Sequence, residues 1–269
     1  MESRGWVSAS PRNRVVHTTN GQHLIALGVY QKILPSSVIK QEVQERAKEM
    51  EQEQGFPVGR KQMRDLKDKV TVELRAKAFV RKRVTRAWID PTNGWFVVEA
   101  AGASSAEKVV ETLRDTLGSL AVTFLETQHS PQQAMASWIR TGDAPLRFTI
   151  DTDLELQASD ENKSTVRYAR HSLDGKDIVT HISSGKAVTK LGLTWSDRVT
   201  FVLTNKLEIK RVKFLSITKD AGESETELSA EEQFEADFTL MSGELAQLLA
   251  DAAQALGGET GAEAQALAA

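Results

Sequence analysis

SSVIKQEVQERAKEMEQEQGFPVGRKQMRDLKDKVTVELRAKAFVRKRVTRAWID, Ser36 to Asp90, consists of two charged runs, a glycine–proline break between them and a strand-like end. The first run, from Val38 to Gln54, places Val38, Val43, Ala47 and Met50 at roughly helical spacing, with Ser37 as the expected N-cap. Gly55-Phe56-Pro57-Val58-Gly59 interrupts it, because Pro57 has no backbone N–H to donate and the flanking glycines permit a reversal. The second run, from Arg60, continues as helix into RKRVTR before the strand-like AWID. The pattern predicts an antiparallel helical pair, residues 36–83, protruding from an α+β body.

The second run is also the most basic part of the chain. From Arg60 to Arg86 there are eleven Lys/Arg and three acids, a net of +8 in a chain whose total is −3. From Leu215 to Ala269 there are twelve acids and one base, a net of −11, so residues 1 to 214 carry +8. A solvated helical face is the plain reading of such a run. A surface for a polyanion is the sharper one, and Arg81 and Arg83 belong to it.

Outward from this pair, Val15–Thr19 and His23–Gln31 read as strands around Asn20-Gly21, a hairpin signal. Val84–Asp90 and Trp95–Ala101 flank a second turn at Pro91-Thr92-Asn93-Gly94. A capping-box pattern at Ser104–Glu107 opens a helix, Ala106–Leu117, with Val109, Val110, Leu113 and Leu117 on its buried stripe and Gly118 at its end. Leu120–Leu125 reads as a strand, Pro131–Arg140 as a helix carrying Trp138, and Leu146–Ile150 as a strand. Asp151–Asn162 reads as an acidic turn, Val166–His171 as a strand and Lys176–Ser183 as a helix. Lys186–Thr194, Arg198–Thr204 and Leu207–Leu215 read as an antiparallel meander. An acidic loop, Lys219–Glu232, leads to a strand, Phe234–Met241, and a last helix, Gly243–Leu256. The implied division is a central α+β region (1–35 and 84–150), the helical tip (36–83), a second α+β region (151–258) and a disordered tail (259–269).

Several function classes lack their signatures. There is no cysteine, which removes disulfides, thiolate catalysis and cysteine zinc sites and is compatible with a reducing cytoplasm. The five histidines have no metal-ligand spacing, and no phosphate loop, dinucleotide fingerprint or nucleophile elbow occurs. No run approaches the length of a membrane span, and MESRGWVSASPRNR has no apolar centre of a secretory signal. No catalytic residue, cofactor or metal is therefore expected. In the meander, alternation predicts that Lys186 and Lys190 leave the strand on one face, with Arg167, Arg170 and His171 just before them. Two basic segments without a base-reading module point to phosphate contacts.

KILPSSVIK (Lys32–Lys40), DLKDKV (Asp65–Val70), AKAFVRK around Phe79, WIDPTNG (Trp88–Gly94), LRDTLGSL (Leu113–Leu120), SGKAVTKLGLTW (Ser184–Trp195) and ADFTLMSGELAQL (Ala236–Leu248) together resemble the RdgC family of bacterial recombination-associated proteins. The similarity runs in order from about Gly5 to Gly258. The resemblance implies a ring-shaped homodimer of curved subunits around a positive channel. It implies binding of double-stranded DNA, and also single-stranded DNA, without sequence preference. It further implies antagonism of the recombinase RecA and a cytoplasmic, nucleoid-associated location with no membrane partner. It makes Phe79 the residue that docks into the partner subunit at the tip. It makes Lys186 a channel-facing lysine, and it puts Arg170 and His171 near the DNA path. The family pattern begins with a further strand and helix before the segment matching Gly5. A chain without them is expected to expose a sheet edge. Two other readings are an interaction scaffold of the recombination machinery that does not touch DNA, and a nuclease, which needs clustered carboxylates for metal.

Overall fold

The computed structural model describes residues 2–145, 147–215 and 229–260. Their fold is α+β, with two sheets and six helices among the described residues. The chain divides into two compact units. The first comprises the described residues of Met1–Thr18, His23–Ile89 and Phe96–Leu120, and the second those of Thr19–Gln22, Asp90–Trp95 and Ala121–Ala269.

The first sheet is built from β1 (Glu2–Val7), β2 (Val16–Thr19), β3 (Gln22–Ile33), β4 (Phe79–Asp90) and β5 (Trp95–Glu99). Its order is β1-β3-β4-β5, with β2 paired to β3. Asn20 (φ 51°) and Gly21 (φ 76°) form the two-residue turn between β2 and β3, in the left-handed conformation that matches the strand twist. Between β3 and β4 stand α1 (Ser36–Gln54) and α2 (Arg60–Lys77), joined through Gly55 in the left-handed region. Val43, Ala47 and Val70 are their buried contacts. Helix α3 (Ala103–Leu117) covers one face of the sheet, where Val109 and Leu113 pack on Ile25, Leu27, Val29 and Ala87. Residues on β1 fasten it: the Trp6 indole donates to Thr116 at 2.8 Å, and Lys108 reaches Glu2 at 2.7 Å.

The second unit holds α4 (Pro131–Thr141), β6 (Phe148–Ala158), β7 (Thr165–Tyr168), α5 (Lys176–Ser183), β8 (Lys186–Trp195), β9 (Val199–Thr204), β10 (Ile209–Phe214) and α6 (Ala230–Ala255). Its antiparallel sheet has the order β10-β9-β8-β6-β7. Met135, Trp138, Leu154, Leu156, Ile178, Leu191, Leu193, Trp195 and Leu248 share one core. Each large apolar side chain fully buried there stabilises the fold by about 1.5–3 kcal/mol. Among the described residues no helix is long and apolar enough to cross a membrane.

Several local expectations are corrected. Helix α1 is capped by Pro35, not by Ser37, and Val38 is exposed. The second basic run is helical only to Lys77. RKRVTR is part of β4, where eleven register pairs with β3, from His23–Ile89 to Ile33–Phe79, outweigh the helical tendency of the charges. Helix α3 begins at Ala103 after Gly102 with no side-chain cap, and its Leu117 is exposed. Residues 120–125 form no strand, and β1 is a strand the N-terminal composition did not suggest. Asp151–Ala158 is strand rather than turn, because its acids lie on the face away from the core and meet cations or hydroxyls there. Phe234–Met241 is helix. Ser229 and Glu232 form a capping box that opens α6, and Phe234 and Phe238 stack one turn apart at 6.5 Å. Residues 216–228 of the expected acidic loop and 261–269 of the expected tail lie outside the described residues.

Candidate nucleic-acid interface

In the first unit the β3–β4 ladder runs past the part covered by α3. Paired residues of an antiparallel ladder share a face. Leu27–Thr85 and Val29–Arg83 are followed on the core-side face by Gln31–Arg81 and Ile33–Phe79. The apolar run thus gives way to two arginines and then to Phe79, which is 86% exposed beside an Ile33 that is 44% exposed. Phe79 is neither a core residue nor a helix end. Arg81 reaches Gln31 at 3.5 Å. The other two cations of RKRVTR take the opposite face, with Lys82 lying 5.6 Å over the Tyr30 ring and Arg86 lying 4.0 Å from Glu99. Alternation therefore distributes the RKRVTR charge over both faces of a ribbon. On α2, Arg60, Lys61, Arg64, Lys67, Lys69, Arg75 and Lys77 are exposed, while Arg46 of α1 is bound by Glu42 and Glu73 at 2.8 and 2.7 Å.

In the second unit a register shift decides which cations meet. Lys190 pairs with Glu155 and Val188 with Leu156, so a residue is gained on β8 between them. The consequence is visible in burial: Val188 and Leu191, three apart on one strand, are both fully buried in the same core. Lys190 then points to the face away from that core. Lys186 shares the side of Val188, and its Nζ lies 3.5 Å from His181 Nδ1 on α5. The expectation of both lysines on one face is overturned by this bulge.

On the face away from the core, Glu155 gathers three partners. Arg167 of β7 donates to its Oε2 from Nε at 3.0 Å and from Nη2 at 2.6 Å. Lys190 Nζ lies 3.0 Å from both carboxylate oxygens, and the Thr189 hydroxyl donates at 3.1 Å. Burial pushes the Glu155 carboxyl up, but the hydrogen bonds from Lys190, Arg167 and Thr189 outweigh it and hold it below its ordinary value. Sequence reading missed Glu155. The signal was there, since Glu155 and Arg167 stand opposite one another in the β6–β7 hairpin.

Arg170 and His171 follow the end of β7 at Tyr168 instead of extending it. Arg170 takes a left-handed φ of 53°, and its N–H donates to Asp153 at 3.1 Å. The His171 N–H donates to the Thr152 carbonyl, and its ring lies 5.5 Å from that of Tyr168. The Tyr168 hydroxyl donates to Asp177 at 2.7 Å, which pushes its pKa up to about 12 and draws that of Asp177 down. Among the described residues no three His, Asp or Glu side chains converge to hold a metal ion.

The protein-family model described as "Putative exonuclease, RdgC" matches residues 1–259. The chain belongs to the RdgC family. RdgC relatives with curated names match it over almost its whole length. The recombination-associated protein RdgC of Dechloromonas aromatica is 51% identical over 260 residues, 96% of this chain and 85% of the relative. That of Cupriavidus pinatubonensis is 46% identical over 259 residues, covering 96% and 86%. That of Herminiimonas arsenicoxydans is 44% identical over the same spans. Against the RdgC frame, the quoted motifs fall on β3–α1, α2, the α2–β4 junction, the β4–β5 turn, the end of α3, β8 and α6.

Proposed function

We propose that this chain binds double-stranded DNA without sequence preference. It does so as a ring-shaped homodimer around the duplex, and it restrains RecA-dependent recombination by occupying the DNA. The observation that carries the reading is charge segregation within an RdgC-family chain: residues 60–86 alone hold a net of +8 on exposed helix and strand. Exposed cations without a base-reading element suit phosphates, which are the same at every sequence. Arg81, Arg83, Lys186, Arg170 and His171 are the proposed phosphate contacts, and Arg167 and Lys190 contribute through the Glu155 cluster. The exposed Phe79–Ile33 pair is the proposed apolar dimer contact at the tip. Single-stranded DNA binds through the same backbone contacts. The protein works in the cytoplasm, on the nucleoid.

Fluorescence anisotropy with unrelated duplexes at several salt concentrations tests this. Equal affinities that fall steeply with salt are expected. A strong preference for one sequence, or no binding at low salt, overturns it, and the latter outcome favours a scaffold role. The family description also motivates a nuclease reading. Incubation of end-labelled duplex with the protein and magnesium decides it: intact DNA is expected, and progressive shortening makes the chain an exonuclease.

A further inference from the structure

We infer that Glu155 limits how strongly this protein holds DNA, by neutralising one of the two cations that Arg167 and Lys190 present on the same sheet face. The inference rests on the duplex-binding reading above.

Glu155 cannot move out of the way. It lies between Leu154 and Leu156, both of which are buried in the core, so its strand is anchored on either side. The residue is only 9% exposed, and its carboxylate accepts from the strands on both flanks, β7 through Arg167 and β8 through Lys190. A carboxylate so placed stays ionised at neutral pH, because each of its oxygens accepts hydrogen bonds that favour the charged form.

The two cations are different. The Arg167 side chain is 69% exposed and that of Lys190 42%, so both keep donors directed at solvent while bound to the carboxylate. Within this cluster an incoming phosphate therefore meets two cations and one fixed anion, a net of +1. Counting only Arg167 and Lys190 overstates the charge of this cluster by one. The β8 bulge is what creates the cluster. Without it Lys190 would share the side of Val188, and Arg167 alone would balance Glu155.

Counterion release converts net charge into a measurable slope, about 0.9 per phosphate neutralised on duplex DNA. Glu155→Gln keeps the shape and an acceptor oxygen while removing the anion. Measured by anisotropy on random duplex, it is expected to steepen the salt slope by about one unit and to tighten binding on the order of fivefold near 0.1 M salt. The triple variant Arg167→Gln/Glu155→Gln/Lys190→Gln removes the whole cluster and leaves no buried charge unpaired. Its slope is expected to fall by about one unit from the parent, not two. Thermal unfolding of each variant confirms that it is folded, and the triple variant decides the matter if Glu155→Gln alone does not fold. Unchanged or weaker binding by folded Glu155→Gln, or a fall of two in the triple variant, overturns the inference. Absence of binding by the parent protein itself defeats the duplex-binding reading instead.

Discussion

Lys186 and Lys190, four residues apart on β8, leave the strand on opposite faces, because the ladder with β6 slips by one residue between Val188 and Lys190. Lys190 enters the Glu155 cluster, whereas Lys186 stands beside His181 with no carboxylate among its hydrogen-bond partners within the described residues. The two are therefore unequal as phosphate ligands. Lys186→Ala is expected to weaken binding to all duplexes about equally and to lower the salt slope by about one unit. Anisotropy on several unrelated sequences checks this, and a change of sequence preference would count against a backbone contact.

Phe79 is exposed in the chain, so its removal should leave the fold intact and act on the proposed assembly. Phe79→Ala is expected to weaken dimerisation by about 2 kcal/mol, on the order of thirtyfold in dissociation constant, with little change in unfolding temperature. Sedimentation over a concentration series reads the first effect and thermal unfolding the second. Unaltered dimerisation removes Phe79 from the interface.

The Trp195 indole donates to Asp251 of α6 at 2.8 Å, and Arg147 binds the same carboxylate at 3.2 Å while its guanidinium lies 5.4 Å over the Trp195 ring. Trp195 itself is fully buried. Asp251→Ala leaves the indole N–H without an acceptor and is expected to cost about 1–3 kcal/mol of stability. Denaturant unfolding of parent and variant measures it. A loss near zero means that water replaces the carboxylate.

Tyr168 is the residue to watch at high pH. Its phenol is raised to about 12 by the hydrogen bond to Asp177, then by burial and by the charge of that carboxylate. A folded-state value above the unfolded one, about 10, means the contact stabilises fully below pH 10 and is lost as pH climbs through about 12. Absorbance titration near 295 nm is expected to show a late component that disappears in Tyr168→Phe. The two proteins should converge in stability above that range. A Tyr168→Phe titration with the same late component would disprove the contact.

Much of the architecture was legible because it is written in local chemistry. Asn20-Gly21 announces its hairpin, Gly55 and Pro57 announce the reversal between α1 and α2, and the β8–β9–β10 meander carries its own turns. The elements that were misread are those whose local signals conflict with their neighbours. The acids of β6 suggest a turn until Lys190, Arg167 and Thr194 are brought across the sheet to meet them. Phe234 and Phe238 favour strand in isolation, but they sit one turn apart and follow a capping box that opens a 26-residue helix.

The candidate site divides in the same way. Sequence alone determined the family and the basic segments, since composition and motif order need no partner strand, whereas the exposure of Phe79 at the α2–β4 junction was decided by the structure. Only the tertiary structure decided that RKRVTR is a ribbon with cations on both faces. Only it decided that Lys186 and Lys190 part company, and that Glu155 holds two cations. The physical reason is that a side chain's face on a strand depends on the register with its neighbour. A single inserted residue, invisible in the alternation of one strand, turns every later side chain over.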